Sequence, residues 1–265
     1  MGILKIWKAL IYKASSIKKY HMSTTLAFDF GNTRKKVAVF DGDIYREEIY
    51  LENDDVATIQ KILKEHAPKA SILSSVVHHD KEIEKVLSDV GKFHLVGPTT
   101  KLNFTSPVGK PETIGADRLA LMAAAAWFYP GKNNLIIALG SCITYNFMNQ
   151  KAEFLGGGIS PGMDMRFKAM HEHTALLPLV SSSWSIPLIG YDTKTNLQSG
   201  VLNGMAGEIA YTTELYAKKF GNFNAVLTGG NSAYFATVLK NKIFADYNFL
   251  FKGLYALSEL NNGPL

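Results

Sequence analysis

The stretch Leu26 to Phe40, LAFDFGNTRKKVAVF, constrains the chain more than any other, because its pattern is written twice. Two apolar runs rich in β-formers flank a turn that carries a carboxylate (Asp29), a glycine (Gly31), an amide (Asn32) and a hydroxyl (Thr33). At Leu135 to Met148 the chain reads LIIALGSCITYNFM, with Leu135 in the place of Leu26, Ala138 in that of Asp29, Gly140 in that of Gly31 and Ser141 in that of Asn32. Taken alone, D-F-G-N-T could be only a hairpin turn, since Asp, Gly and Asn are common turn residues. A supersecondary unit that recurs predicts two similar α/β halves facing one another, with a glycine turn from each on either side of a cleft. In such a cleft Gly31 is expected to take φ > 0 and let backbone approach a phosphate, with Asn32 and Thr33 adding donors. Asp29 could hold a phosphate-bound magnesium ion.

A chain of 265 residues, 47% hydrophobic and 19% charged, can bury a sizeable core and divide it between two domains. The expected division is 22–130 and 131–265, with a basic extension over 1–21. In that extension Ile3, Trp7, Leu10, Ala14 and Ile17 recur at helical spacing between lysines, a pattern that could lie on a membrane surface. Lysines interrupt it too often for a transmembrane span, which needs roughly 20 apolar residues. We read it as sequence ahead of a functional start at Met22 rather than as an anchor. The net charge of +5 comes partly from Lys5, Lys8, Lys13, Lys18 and Lys19, so it implies no nucleic-acid partner. A lone cysteine, Cys142, excludes an intramolecular disulfide framework and suits a reducing cytoplasm.

Beyond the first hairpin, Asp41-Gly42-Asp43 signals a further turn, and Asp54 or Asp55 opens a helix with Val56, Ile59, Ile62 and Leu63 on one face. Strands are expected at Ala70 to Val77 and Phe93 to Val96, around a helix from Lys81 to Val90; this alternation implies a largely parallel sheet. His78-His79 and His171-x-His173 lack metal-ligand spacing, because residues two apart on a helix point to nearly opposite sides. Residues 97–113 are irregular, interrupted by Pro98, Pro107 and Pro111, and open onto Gly115-Ala116-Asp117-Arg118 and a helix from Leu119 to Tyr129. A carboxylate in a first helical turn is stabilised by the helix dipole without any catalytic role. Paired with Arg118 after a glycine, Asp117 could instead accept a proton from a hydroxyl while the arginine grips an anionic group.

Further on, Gly156-Gly157-Gly158-Ile159-Ser160-Pro161-Gly162 leads into a helix near Met165. Thr228-Gly229-Gly230 ends a strand at Ala225 to Leu227. Both are places where backbone could pack against a nucleotide, although no G-x-x-x-x-G-K-[ST] occurs. Gly190 to Thr193 and Gln198-Ser199-Gly200 are expected to form a polar loop before a helix around Met205 to Phe220.

Taken together, these motifs resemble the type III pantothenate kinases. Asp29-Phe30-Gly31-Asn32-Thr33-Arg34 is similar to their first phosphate motif, Gly115-Ala116-Asp117-Arg118 to their substrate motif, and Gly140-Ser141-Cys142-Ile143-Thr144 to their second phosphate motif. The likeness runs in the right order from about Leu26 to near the C-terminus. It implies the actin, sugar-kinase and heat-shock-ATPase fold, with two ribonuclease-H-like halves and ATP between them, and a cytoplasmic homodimer. It also implies ATP binding by Asp29, Gly31, Asn32, Thr33, Arg34, Lys36, Gly140, Ser141 and Thr144. Pantothenate would be bound by Gly115, Ala116, Asp117, Arg118 and Thr193, with Asp117 as general base and magnesium at Asp29. The implied reaction moves the γ-phosphoryl group of ATP to the hydroxyl of pantothenate, the first step towards coenzyme A, with no nucleic acid or membrane as partner. Three departures stand out. Ala138 replaces the aspartate that holds a monovalent cation, potassium or ammonium, in the family; Asn146 replaces a later aspartate; and Val108 replaces a tyrosine three residues before Pro111. The intact Asp117, Arg118 and first phosphate motif favour an active kinase, and the departures favour the alternative, a catalytically impaired nucleotide-binding or regulatory relative.

Overall fold

The computed structural model describes residues 23–239 and 243–263, so the amphipathic pattern expected over 1–21 lies outside the described residues. The first repeat is a hairpin of β1 (Thr24–Phe30) and β2 (Lys35–Asp41), extended through a turn at Gly42 into β3 (Ile44–Tyr50). There follow α1 (Val56–His66), β4 (Ala70–Ser75), α2 (Lys81–Val90) and β5 (Lys92–Leu95). Asp55 caps α1 by accepting from the Thr58 backbone N–H at 2.7 Å. A long connection leads into α3 (Ala116–Phe128), and the second repeat is β6 (Asn134–Leu139), β7 (Cys142–Met148) and β8 (Phe154–Pro161). Then come α4 (Met163–Glu172), α5 (Thr193–Phe220), β9 (Asn224–Thr228), α6 (Ser232–Val238), β10 (Ile243–Ala245) and α7 (Phe249–Asn262).

Two five-stranded sheets result, ordered β3-β2-β1-β4-β5 and β8-β7-β6-β9-β10. In each, a three-stranded antiparallel meander joins two strands that run parallel to its first member. The recurrence in sequence is therefore a recurrence of topology. The sheets are mixed rather than largely parallel, because helical crossovers connect only the last two strands of each, while short turns can only reverse the chain. Residues Asp29 and Ala138 occupy equivalent places, and their parallel neighbours, Ser74 and Thr228, are equivalent too.

Side-chain alternation along the central strands sets the layers. Leu26, Phe28 and Phe30 pack under α1 and α2, whereas Ala27, with Ala38 and Ile72, faces α3 and α7. Likewise Leu135, Ile137 and Leu139 face α4 and α5, and Ile136 faces α3. Helices α3 and α7 thus form a central layer between the sheets. Their contact is tight, since a Cβ on Gly253 would lie 1.8 Å from the Ala120 carbonyl oxygen. Alanines at 120, 123, 124 and 125, all fully buried, allow that approach. Among the described residues no helix is long and apolar enough to cross a membrane.

The helix expected near Met165 is found as α4 behind Gly162, and the glycine run before it forms the edge strand β8. One sequence expectation changes. Gln198-Ser199-Gly200 lies inside α5, which begins at Thr193 behind a capping box made by Asp192 and Thr195.

Candidate active site

The two glycine turns meet across the cleft, where the Thr33 and Ser141 hydroxyls are 2.6 Å apart. Gly31 donates to the Arg34 carbonyl at 3.1 Å and so closes the first turn. Its φ is not positive, contrary to expectation; glycine is favoured there because a Cβ would sit 3.1 Å from that same carbonyl oxygen. The positive φ is found instead at Gly229, which packs on the second turn, where a Cβ would come within 2.5 Å of the Leu139 carbonyl oxygen. Gly162 supports this turn from the other side and donates to the Ser141 carbonyl at 3.1 Å. These glycines pack the turn itself and so do not need a nucleotide to account for them. Arg34 lies over the Tyr50 ring, 5.6 Å from its centroid, and within reach of Gly230. A groove of about 400 Å³ runs along the first turn, lined by residues 31–35 and by Tyr50, Leu51, Glu52 and Asp54.

Below the turns the charge is concentrated. Asp29 shares the inner face of the first sheet with Ala27, so it points toward the N-terminus of α3, where Asp117 stands in the first turn. Burial, helped by the neighbouring Asp117 carboxylate, pushes Asp29 up to about 7 against the opposing pull of Lys36. Burial also raises Asp117, opposed by a hydrogen bond from the Arg118 backbone N–H and by the Arg118 charge. The Asp117 carboxylate folds back over Gly115, where a Cβ would lie 2.6 Å from its Oδ1, so Gly115 makes room for that conformer. Lys36, paired with Asp29 across the β1–β2 ladder, is held from β3, with its Nζ 2.9 Å from Glu48 and 4.9 Å from the Tyr50 ring centroid.

Ser74, beside Asp29, helps to hold that carboxyl down, whereas Thr228, in the equivalent place beside Ala138, is buried with no hydrogen-bond partner. The Asp29 carboxylate fits magnesium. This ion takes one or two carboxylates and keeps its remaining positions for phosphate oxygens and water, and among the described residues no three His, Cys, Asp or Glu converge to cage a metal. The second-half side does not fit a monovalent cation, since Ala138 presents a methyl group where the equivalent position of the first half presents a carboxylate.

Arg118 extends from α3 to the second sheet. Its Nε donates to Asn146 Oδ1 at 2.6 Å, and its guanidinium lies over the Phe154 ring, 5.4 Å from the centroid. Asn146 in turn donates to Thr144 Oγ1 at 3.0 Å and to the Ile136 carbonyl at 3.2 Å. Thr144 is thereby buried beneath the second turn rather than displayed at it, and the Ala116 side chain belongs to the core, which leaves only its backbone for a ligand. Asn32 and Thr33 are exposed at the first turn, and Thr193 is exposed at the start of α5. Val108, half-buried, lies against Gly156.

One histidine of each pair has other partners. His79 bridges Ser75 and Glu84, and His171 bonds the Leu177 carbonyl. Sequence reasoning missed Glu48, Tyr50 and Ser74. The alternation I-Y-R-E-E-I-Y after Gly42 was the available signal for the first two.

The model of the type III pantothenate kinases matches residues 25–214. The chain belongs to the type III pantothenate kinase family. It is 40% identical over 238 residues to the type III pantothenate kinase of Christiangramia forsetii, covering 89% of this chain and 98% of that protein. Among solved structures, a Baf family protein of Campylobacter jejuni superposes with a TM-score of 0.60 at 20% identity, covering 90% of this chain and all of that one. A ROK family glucokinase from Streptomyces griseus, solved with glucose and AMPPNP, superposes with a TM-score of 0.50 at 11% identity, covering 89% and 98%. At such identities the structures speak for fold alone. The chain is built on two ribonuclease-H-like halves of the actin and sugar-kinase kind, each with its own glycine turn at the cleft.

Proposed function

We propose that the protein transfers the γ-phosphoryl group of ATP to the hydroxyl of pantothenate, giving 4'-phosphopantothenate on the way to coenzyme A. The observation that carries this reading is the convergence of both glycine turns, through Thr33 and Ser141, above the buried pair of Asp29 and Asp117. Phosphoryl transfer needs held phosphates and an aligned nucleophile more than covalent chemistry, and this arrangement supplies both.

In the proposed assignment, the phosphates of ATP lie between the turns, contacted by Asn32, Thr33, Arg34, Gly140 and Ser141. Lys36 reaches them from the sheet and Asp29 would hold the magnesium ion, which neutralises charge on the phosphate oxygens when bound. Arg118 pairs with the pantothenate carboxylate through the N–H groups left free by Asn146. The substrate hydroxyl oxygen bonds to the γ-phosphorus as the bond from that phosphorus to the β-bridging oxygen of ADP breaks, and the hydroxyl proton passes to Asp117. Burial raises the proton affinity of Asp117, which brings it closer to that of an effective base near neutral pH.

We assign residues 22–130 and 131–265 to the two halves, with α7 returning to the first sheet, and a cytoplasmic homodimer as the working form. Along α5, Gly200, Gly204 and Gly207 leave open space, and Tyr211 continues the face at 61% exposure, a surface suited to a close helix contact with a second copy. Thr193, at the head of the same helix, is assigned to pantothenate. The test is ADP release with pantothenate set beside other hydroxylated metabolites. Turnover confined to pantothenate is expected, and equal or greater turnover of another alcohol would refute the substrate.

A further inference from the structure

On β7 the residues Ile143, Tyr145 and Phe147 enter the outer core of the second half, so Thr144 and Asn146 face the central helix α3. Asn146 is fully buried and makes three hydrogen bonds that leave no ambiguity about its amide. The Ile136 carbonyl can only accept, so the Asn146 nitrogen must face it. The Arg118 Nε–H can only donate, so the Asn146 oxygen must face that. The flat guanidinium is fixed on its second side by the Phe154 ring. With Nε committed, both terminal nitrogens of Arg118 are left in one orientation, the fork that matches a planar carboxylate.

We infer that Asn146 is a positioning residue for the acidic substrate: it aims Arg118 from the strand that follows the second glycine turn, and so sets affinity for the carboxylate but not for ATP. This rests on the proposed function and assigns a role to a residue that touches no substrate itself. A buried hydrogen bond to a charged group is worth enough that its loss should weaken carboxylate binding about tenfold to a hundredfold.

The experiment is steady-state kinetics on the full chain with ATP and pantothenate varied separately. Asn146→Leu should raise KM for pantothenate about tenfold or more and leave KM for ATP within about twofold. Asn146→Asp, which keeps an acceptor for Arg118, should restore most of the affinity. In an Arg118→Met background, Asn146→Leu should add no further rise, because the residue it acts through is already gone. Asn146→Ser, too short to reach Nε, replaces the leucine variant if that one melts well below the parent, and carries the same expectation. The inference is overturned if KM for pantothenate is unchanged, if both KM values rise together, or if the effect persists at full size without Arg118. Absence of pantothenate turnover by the unmodified protein would instead overturn the functional reading, and this assignment with it.

Discussion

The Asp29→Asn substitution should stabilise the protein while removing its activity. Asp29 is buried next to Asp117 with its pKa pushed from an ordinary 3.8 to about 7. A raised carboxyl pKa means that the folded state binds the proton more tightly than the unfolded chain, so stability falls as pH rises from about 4 to about 7 and then stays low. At about 1.4 kcal/mol per pKa unit, ionising Asp29 costs the ligand-free fold about 4 kcal/mol at pH 8 and less than half of that at pH 5. Asparagine carries no such cost. Thermal melting without ATP or magnesium should show Asp29→Asn gaining on the order of 10 °C over the parent at pH 8, and much less at pH 5. Saturating magnesium and ATP should narrow the gap by stabilising the parent more than the variant, which lacks the carboxylate that would hold magnesium. A variant that melts lower at pH 8, or whose gain is the same at both pH values, would refute the argument that this carboxylate is held in the fold at a cost and relieved by its ligands.

Other outcomes follow from the same geometry. Arg118→Lys keeps the charge but loses the planar fork, so KM for pantothenate should rise about tenfold in steady-state assays while KM for ATP holds; the reverse pattern would place Arg118 at the nucleotide. Turnover at constant ionic strength should change little with potassium, because Ala138 offers no oxygen ligand, and Ala138→Asp should introduce potassium activation; strong activation of the parent would contradict this. Gly253→Ala drives a methyl against the Ala120 carbonyl and should cost about 3 kcal/mol in urea unfolding, since backbone cannot step aside as a side chain can; an unchanged midpoint would mean that α3 and α7 are less closely packed.

Much of the fold was legible because repetition is a global signal carried by local residues. The β1–β2 and β6–β7 hairpins could be matched by position, and the matched topology of the sheets bears this out. The edge strands were harder to see. In β3 a row of charged residues sits on an edge where one face is solvated, and in β8 glycines occupy strand positions because a Cβ on Gly157 would strike the Tyr145 carbonyl oxygen at 1.8 Å. Glycine there reports close backbone approach, which in sequence looks the same as a loop. The start of α5 was obscured in the same way, since Gly200, Gly204 and Gly207 weaken helix propensity along a helix that tertiary packing maintains. Its capping box at Asp192 and Thr195 was the better signal. At the site, residues in the motifs could be named from sequence. Those that orient them, Glu48 beneath Lys36 and Asn146 beneath Arg118, come from other strands and are joined to them only by the fold.

The most direct measurement of the central claim is the appearance of phosphopantothenate, followed by phosphorus NMR, with ATP, magnesium and pantothenate as the only substrates, for the parent and for Asp117→Asn. The parent should convert pantothenate with one ADP formed per product. The Asp117→Asn variant should keep its affinity for ATP and slow by about 10² to 10⁴, the usual contribution of a general base. No phosphopantothenate from the parent, or near-normal turnover by Asp117→Asn, would contradict the account.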